Sequence, residues 1–431
     1  MPKTVSFVTL GCKVNQYDSQ AMLEAFEHKG YKVVPPGEGA DIYVVNTCTV
    51  TGTGDQKSRQ LVRRYQRKNP CAELVIAGCL AQRMGEALRE TGARLILGTQ
   101  YRGQVVTLLE KALAEDVQLV AVDELEGIPY EPLTIRCHEG HTRAVMKIQE
   151  GCDNHCTYCI IPSVRGGVRS RGMDEVRREA ADLAAAGFRE IVLTGIHLTS
   201  YGRDLEGKPA LIDAIRTVCE EAGIARVRLG SLEPRVVDER FVQEARTLPK
   251  LCPQFHLALQ SGSDAVLRRM KRGYNTAQFL AAAERLRAVY PQAAFTTDVI
   301  VGFPGETEEE FLETLAFCEI IGFAKIHVFP YSKREGTPAA DMPGQIEKSV
   351  KERRVRDLMA LGNRLAEAYR RQTLGTVCEV LLEKQLPTGE WEGYTPEYIH
   401  MLVNGGELGQ IVPVRMDALT EEGMAGTLVE F

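Results

Sequence analysis

Apolar runs of strand length alternate with helix-length amphipathic segments almost from the first residue, and few architectures accept that alternation. TVSFVTL precedes QYDSQAMLEAFEHKG, ADIYVVN precedes DQKSRQLVRRYQRKN, AELVIAG precedes QRMGEALRETG, and RLILG precedes VVTLLEKALAE. The repetition predicts a parallel α/β sheet over residues 1–120. Prolines and acids in VDELEGIPYEPLTIRCHEGH mark a linker over 121–142. A second alternation, over 143–371, carries the candidate strands AVMKIQ, EIVLTG, RVRLGS, FHLALQ, AFTTDVIVG and KIHVFPYS. Six such units fit a partial (β/α)6 barrel, whose working face lies at the strand carboxyl ends. From 372 to 431 the texture changes to short strands and Gly turns, the pattern of a small β-barrel.

Three domains suit 431 residues, too many for one core. MPKTVSFVTLG lacks the apolar core and cleavage site of a signal peptide, and the apolar runs are too short to span a bilayer, so a cytoplasmic address with no membrane partner is expected. In a reducing compartment the twelve cysteines read as metal ligands or buried thiols rather than disulfides. A net charge of −6 argues against non-specific coating of nucleic acid. Residues 372–431 hold ten acidic and two basic side chains, net −8, leaving +2 for the rest. Either Trp391, Tyr394 or His400 supplies stacking contacts from this acidic region, or the amino-terminal and barrel domains carry most of any RNA affinity.

GCDNHCTYC places Cys152, Cys156 and Cys159 as C-x3-C-x2-C just after a strand. Such a loop wraps three thiolates around a cubane and leaves the fourth iron open, where S-adenosylmethionine (SAM) can chelate and be cleaved reductively. A zinc loop is the competing reading, but it would ordinarily show a fourth ligand, and His155 is poorly placed to serve. Cys12, Cys48 and Cys79 each end a predicted parallel strand and so share one sheet edge, where a second cluster or three independent buried thiols would sit. Cys71 follows Asn69 and Pro70 in a turn on the opposite edge.

GCKVNQYDS, VVNTCTVT, VIAGCLAQR and GCDNHCTYCIIPSVRGGVRSR resemble the methylthiotransferases of the radical SAM superfamily, and the resemblance covers essentially the whole chain, a TRAM-type carboxyl-terminal barrel included. It implies two [4Fe–4S] clusters, with Cys12, Cys48 and Cys79 holding the auxiliary one and Cys152, Cys156 and Cys159 the SAM cluster. It also implies that one SAM methylates a cluster-bound sulfur while another yields the radical that removes hydrogen from carbon. GCKVNQYDS resembles the branch that modifies threonylcarbamoyladenosine beside the tRNA anticodon, at adenine carbon-2. Lys13, Val14 and Asn15 stand where the isopentenyladenosine branch has Gln-Met-Asn and the branch acting on a ribosomal-protein aspartate has Pro-Lys-Asn. Those two branches remain alternatives. A two-cluster electron-transfer protein is the rival from another class, although it would not need SLEP, LQSGSD and an open barrel. The expected partners are tRNA, a reducing electron donor of flavodoxin or ferredoxin type and a sulfur source.

The same resemblance implies contacts for SAM. The Tyr158 backbone meets the adenine, Gly195 approaches the methionyl group, and Ser231 and Glu233 line the ribose side. Gln260 and Ser261 reach the polar part of the site, while Ile300 and Val328 wall the adenine. Arg165, Arg169 and Arg171 after the cysteine loop, and Lys271 and Arg272 after the fourth strand, read either as grips for tRNA phosphates or the threonylcarbamoyl carboxylate, or as a solvated charged face. The basic helix carrying Lys57, Arg59, Arg63, Arg64, Arg67 and Lys68 adds weak support for phosphate contacts.

Overall fold

A computed structural model describes residues 3–136 and 142–429. Strands β1 (Thr4–Thr9), β2 (Lys32–Val33), β3 (Ile42–Thr47), β4 (Glu73–Gly78), β5 (Leu95–Leu97) and β6 (Leu119–Ala121) form one parallel sheet in the order β2-β1-β3-β4-β5-β6. Every residue of β3 is buried because both faces are covered. Met22 and Phe26 of helix α1 (Lys13–His28) join Val5, Val44 and Val75 on one face, and Val62 and Tyr65 of helix α2 (Gly52–Lys68) join Tyr43, Val45 and Ile76 on the other.

A second set of strands follows: β7 (Arg143–Glu150), β8 (Arg169–Ser170), β9 (Glu190–Gly195) and β10 (Arg226–Leu229) make one sheet in the order β10-β9-β7-β8. Next come β11 (Ser231–Leu232), β12 (Gln254–Leu257), β13 (Ala294–Val301) and β14 (Lys325–Pro330), each beside the next. Only Gly230 separates β10 from β11, so six parallel strand positions run as an open arc, the expected partial barrel. Helix Lys348–Arg371 packs Leu358 and Leu361 on the β14 side. β15 (Val377–Gln385), β16 (Trp391–Tyr394), β17 (His400–Val403), β18 (Ile411–Leu419) and β19 (Met424–Leu428) close a barrel in the order β15-β16-β17-β19-β18.

The segment read as a linker departs from a loose connector. Residues 137–141 of it lie outside the described residues, but Leu133 and Ile135 are buried in the main core, Tyr17 Oη donates to Leu133 O at 2.6 Å, and Ile135 N donates to Glu179 at 3.0 Å. Two apolar side chains two residues apart point to one side of an extended segment, and the crevice between α1 and the barrel takes them. Among the described residues no helix is long and apolar enough to cross a membrane.

Candidate cofactor and substrate cleft

Because β1, β3 and β4 run parallel, the residues that follow them meet at one edge, and Cys12, Cys48 and Cys79 stand there. Two glycines permit the approach. Gly11 has φ 106°, and a Cβ on it would lie 3.0 Å from Cys48 Cβ; Gly78 has φ 91°, and its Cβ would lie 2.7 Å from Thr47 O. Asn15 joins the loops, its Nδ2 donating to Leu10 O at 2.7 Å and to Thr47 O at 2.9 Å. Cys48 N donates to Ser58 Oγ of α2 at 3.1 Å.

N–H groups surround the sulfurs. Val14 and Asn15 amides face Cys12 and the Val50 amide faces Cys48. Arg165 Nε donates to Cys79 Sγ at 3.3 Å. Burial pushes the Cys12 thiol up and the Cys48 thiol up to about 11, so a bound metal is needed to hold these groups as thiolates near neutral pH.

The second triad repeats the pattern. Asn154 N donates to Cys152 Sγ at 3.3 Å, Ile161 N to Cys159 Sγ at 3.4 Å, and Arg272 Nη1 to Cys156 Sγ at 3.2 Å. Burial raises Cys152 to about 11 and Cys159 to about 12. Among the described residues the group of three His, Cys, Asp or Glu ligand atoms all within 4.8 Å of one another is His256, Asp298 and His327; neither cysteine triad is drawn so close. Zinc bonds of about 2.3 Å bring sulfurs to about 3.8 Å of one another, whereas a cubane spreads its ligands around a larger body. Three thiols with N–H donors at wider spacing fit an iron–sulfur cluster in each place.

A cleft of about 1220 Å³ unites the three parts of the molecule. Cys12 and Lys13 enter from the first sheet, Gly195, Ser231 and Gln260 from the partial barrel, and Tyr394, Tyr398 and His400 from the carboxyl-terminal barrel. His256, Asp298 and His327, on three adjacent strands, line its wall. His256 Nε2 lies 3.3 Å from Asp298 Oδ2. Lys13 is exposed to the cleft, and desolvation by the surrounding walls, with Arg143 and Arg228 nearby, pushes its ammonium down to about 8. Sequence reasoning missed this histidine–aspartate group and treated Lys13 only as a branch marker. One His or Asp on each of three successive predicted strands, in FHLALQ, AFTTDVIVG and KIHVFPYS, was the available signal.

Of the residues expected around SAM, Gly195, Ser231 and Gln260 line this cleft; the others lie elsewhere. Tyr158 and Ile300 share an apolar cluster with Val266, Met270 and Phe303 beside the cysteine loop. Val328 pairs with Val299, and both belong to the face that packs against the helices; Ile300 and Asp298 take the opposite face. The alternation of a strand therefore removes Val328 from the wall it was expected to share with Ile300. Ser261 is also turned away, its hydroxyl 3.3 Å from Thr314 Oγ1 and accepting from Ser263 N. Glu233, expected on the ribose side, is engaged within the protein. Its carboxylate is taken by Arg272 at 2.7 Å, Arg235 at 2.8 Å and Asn154 at 2.9 Å, beside the second triad. Burial works to raise its pKa, but the His197 bond and Arg272 outweigh it and hold the carboxyl at about 2.

The arginines expected to grip phosphate or carboxylate are mostly buried. Arg165 pairs with Asp18 and Glu150 at 3.0 Å each, and Arg171 pairs with Glu179. Arg169 is buried and donates to Arg165 O, and Arg272 is spent on Glu233 and Cys156. A buried guanidinium is tolerable only with such partners, and those of Arg165, Arg171 and Arg272 are spent on groups of the protein itself. Lys271 is exposed, at φ 54°. Trp391 turns into the core of its own barrel, while Tyr394 and Tyr398 stack at 4.7 Å on the cleft wall under Arg143.

Residues 146–318 match the model of the Radical SAM superfamily, and residues 4–98 match that of Uncharacterized protein family UPF0004. The chain is 41% identical to the threonylcarbamoyladenosine tRNA methylthiotransferase MtaB of Bacillus subtilis (strain 168), covering 96% of this chain and 93% of that protein. It is 34% identical to the tRNA-2-methylthio-N(6)-dimethylallyladenosine synthase of Carboxydothermus hydrogenoformans, covering 96% of each. Among solved structures, the radical S-adenosylmethionine methyltransferase TsrM from Kitasatospora setae superposes with a TM-score of 0.55 at 14% identity, over 79% of this chain and 77% of that one, a likeness of fold.

Proposed function

The chain belongs to the radical SAM tRNA methylthiotransferases, and on that premise we propose that it converts threonylcarbamoyladenosine beside the tRNA anticodon to its 2-methylthio derivative. Enzymes of this family work with SAM and two [4Fe–4S] clusters. In this reading Cys12, Cys48 and Cys79 hold one cluster, and Cys152, Cys156 and Cys159 hold the other. When bound, these groups supply the radical that takes hydrogen from adenine carbon-2 and the methylthio group that replaces it.

The chain's own residues do the placing. Arg165 and Arg272 each turn a guanidinium onto one cysteine of a triad, and Asn15 ties the Cys12 loop to the Cys48 loop. Gly195, Ser231, Gln260 and Lys13 line one cleft, and in this reading the first three border its SAM side and Lys13 its substrate side. The observation that carries the reading is that Cys12 opens into the same cleft as Gly195, Ser231 and Gln260, since group transfer requires the two cofactors to share one space. Lys13-Val14, with the name of the Bacillus subtilis relative, favours threonylcarbamoyl over isopentenyl adenosine. The Carboxydothermus relative keeps the isopentenyl substrate as the second reading. Turnover draws on an electron donor of flavodoxin or ferredoxin type and on a sulfur source, in the cytoplasm.

The test is anaerobic reconstitution, iron analysis and turnover of anticodon stem-loops bearing either modification, read by mass analysis of nucleosides. About eight irons per chain are expected, with methylthiolation of the threonylcarbamoyl form. Cys48→Ala should abolish that product and keep reductive SAM cleavage. Methylthiolation of the isopentenyl stem-loop alone would reject the substrate assignment.

A further inference from the structure

We propose that Lys13 forms the subsite that binds the carboxylate of the substrate's threonylcarbamoyl group. The inference rests on the substrate reading above.

Lys13 is the first residue of α1, directly after Cys12, and its side chain opens into the cleft. Its ammonium makes no hydrogen bond or ion pair with any described residue. The charged groups around it are Arg143, Arg228 and Glu190. Glu190, the single acid among them, is already engaged by Arg228 at 2.7 Å, and Arg143 is engaged by Glu383 at 2.6 Å. The positive charge of Lys13 is therefore left for something that enters the cleft. The wall contributed by the carboxyl-terminal barrel carries Glu392, Glu397, Glu421 and Glu422 instead, and it repels an anion toward the Lys13 side. Lys325 of β14 and Arg370 of the helix Lys348–Arg371 also line the cleft, but Lys13 alone of the three adjoins a cysteine of the first triad in sequence.

Substrate chemistry points to the same place. An adenine bearing an N6-ureido group closes a six-membered ring by donating its outer ureido N–H to N1. That fold holds the threonyl carboxylate on the Watson–Crick side of the base, the side on which C2 lies. Sulfur must reach C2 beside Cys12, so the carboxylate arrives beside the residue next to Cys12. An isopentenyl group brings no charge and leaves the ammonium without a partner.

The experiment compares wild type, Lys13→Gln and Lys13→Arg on two anticodon stem-loops, one with the free threonylcarbamoyl acid and one with its methyl ester. Binding is read by fluorescence anisotropy, and kcat and KM by nucleoside mass analysis. Wild type should prefer the acid by about 10- to 100-fold in Kd and in kcat/KM. Lys13→Gln should bind acid and ester alike, at the level of the ester, and Lys13→Arg should recover part of the preference. A lysine that only shaped the Cys12 loop would weaken both ligands equally. Equal binding of acid and ester by wild type that methylthiolates the acid overturns this inference alone, as does an acid preference that survives in Lys13→Gln. If Lys13→Gln loses its irons, the wild-type comparison and Lys13→Arg still decide. Turnover of only an isopentenyl stem-loop overturns the substrate reading, and this inference with it.

Discussion

A thiol buried in protein resists losing its proton, and each triad answers that resistance with N–H donors and one guanidinium. Arg272 is aimed at Cys156 because Glu233 holds its other nitrogen, so a carboxylate that touches no cysteine helps to hold the second triad in place. The sign of its pH effect follows from its pKa of about 2, below the ordinary value of 4.5. Stability from the Glu233 pairings is fully present above about pH 4.5 and is lost as pH falls toward about 2. Glu233→Gln is expected to be less stable than wild type at pH 7, with the gap narrowing below pH 4.5. Urea midpoints at pH 7, 5 and 3.5 check this, and a gap that is constant across the three would refute it. The cysteines were readable because spacing and strand ends expose them. The roles of Arg165, Arg171 and Arg272 were not, since a basic residue beside a motif looks the same whether its partner is a phosphate or a carboxylate brought from distant sequence.

Among the elements, the turns that leave the strands decide how near the thiols come. Gly11 brings the Cys12 turn against Cys48 in a backbone conformation that side chains disfavour. Gly11→Ala is expected to lose the irons of the first triad and keep those of the second, checked by iron analysis and by electron paramagnetic resonance of the reduced protein. Full iron content would show that the turn has room to spare. Strand-to-helix alternation located β1, β3, β4 and the six arc positions, because burial of alternating elements imposes a local period. It failed where one residue breaks the period. QRMGEALRETG reads as one helix, but the structure has a short helix Cys79–Met84 that gives way at Gly85, φ 47°, to a 3-10 helix Gly85–Thr91. Val328 was assigned to the wrong face for a related reason, since register with Val299 is set by the neighbouring strand.

Across the whole molecule, the first sheet and the partial barrel are joined by a buried set of charges. Asp18 of α1 faces Arg102, Lys147 and Arg165, and Glu150 completes it. Because Arg165 also holds Cys79, the joint that fixes the two parts fixes a candidate ligand as well. Asp18→Asn leaves excess buried positive charge and is expected to cost about 3–5 kcal/mol, read from urea midpoints. A loss below about 1 kcal/mol, the worth of an exposed pair, would show that the joint lies elsewhere. The acidity of the carboxyl-terminal barrel, which makes it a poor RNA anchor on charge alone, has a use in docking. Glu383 meets Arg143, Glu379 lies 3.7 Å from Arg226, and Arg228 donates to Pro396 O at 2.8 Å. Sequence by itself determined the parallel sheet, the six-strand arc, the closing small barrel and the two sets of three cysteines, because each follows from periods and strand ends within a few residues. Only the tertiary structure decided which cations are spent inside the protein and that Lys13 is left facing the cleft beside Cys12. Those outcomes depend on partners far away in sequence, 240 residues for Arg143 and Glu383 and 279 for Arg334 and Asp55, and no local pattern records such a distance.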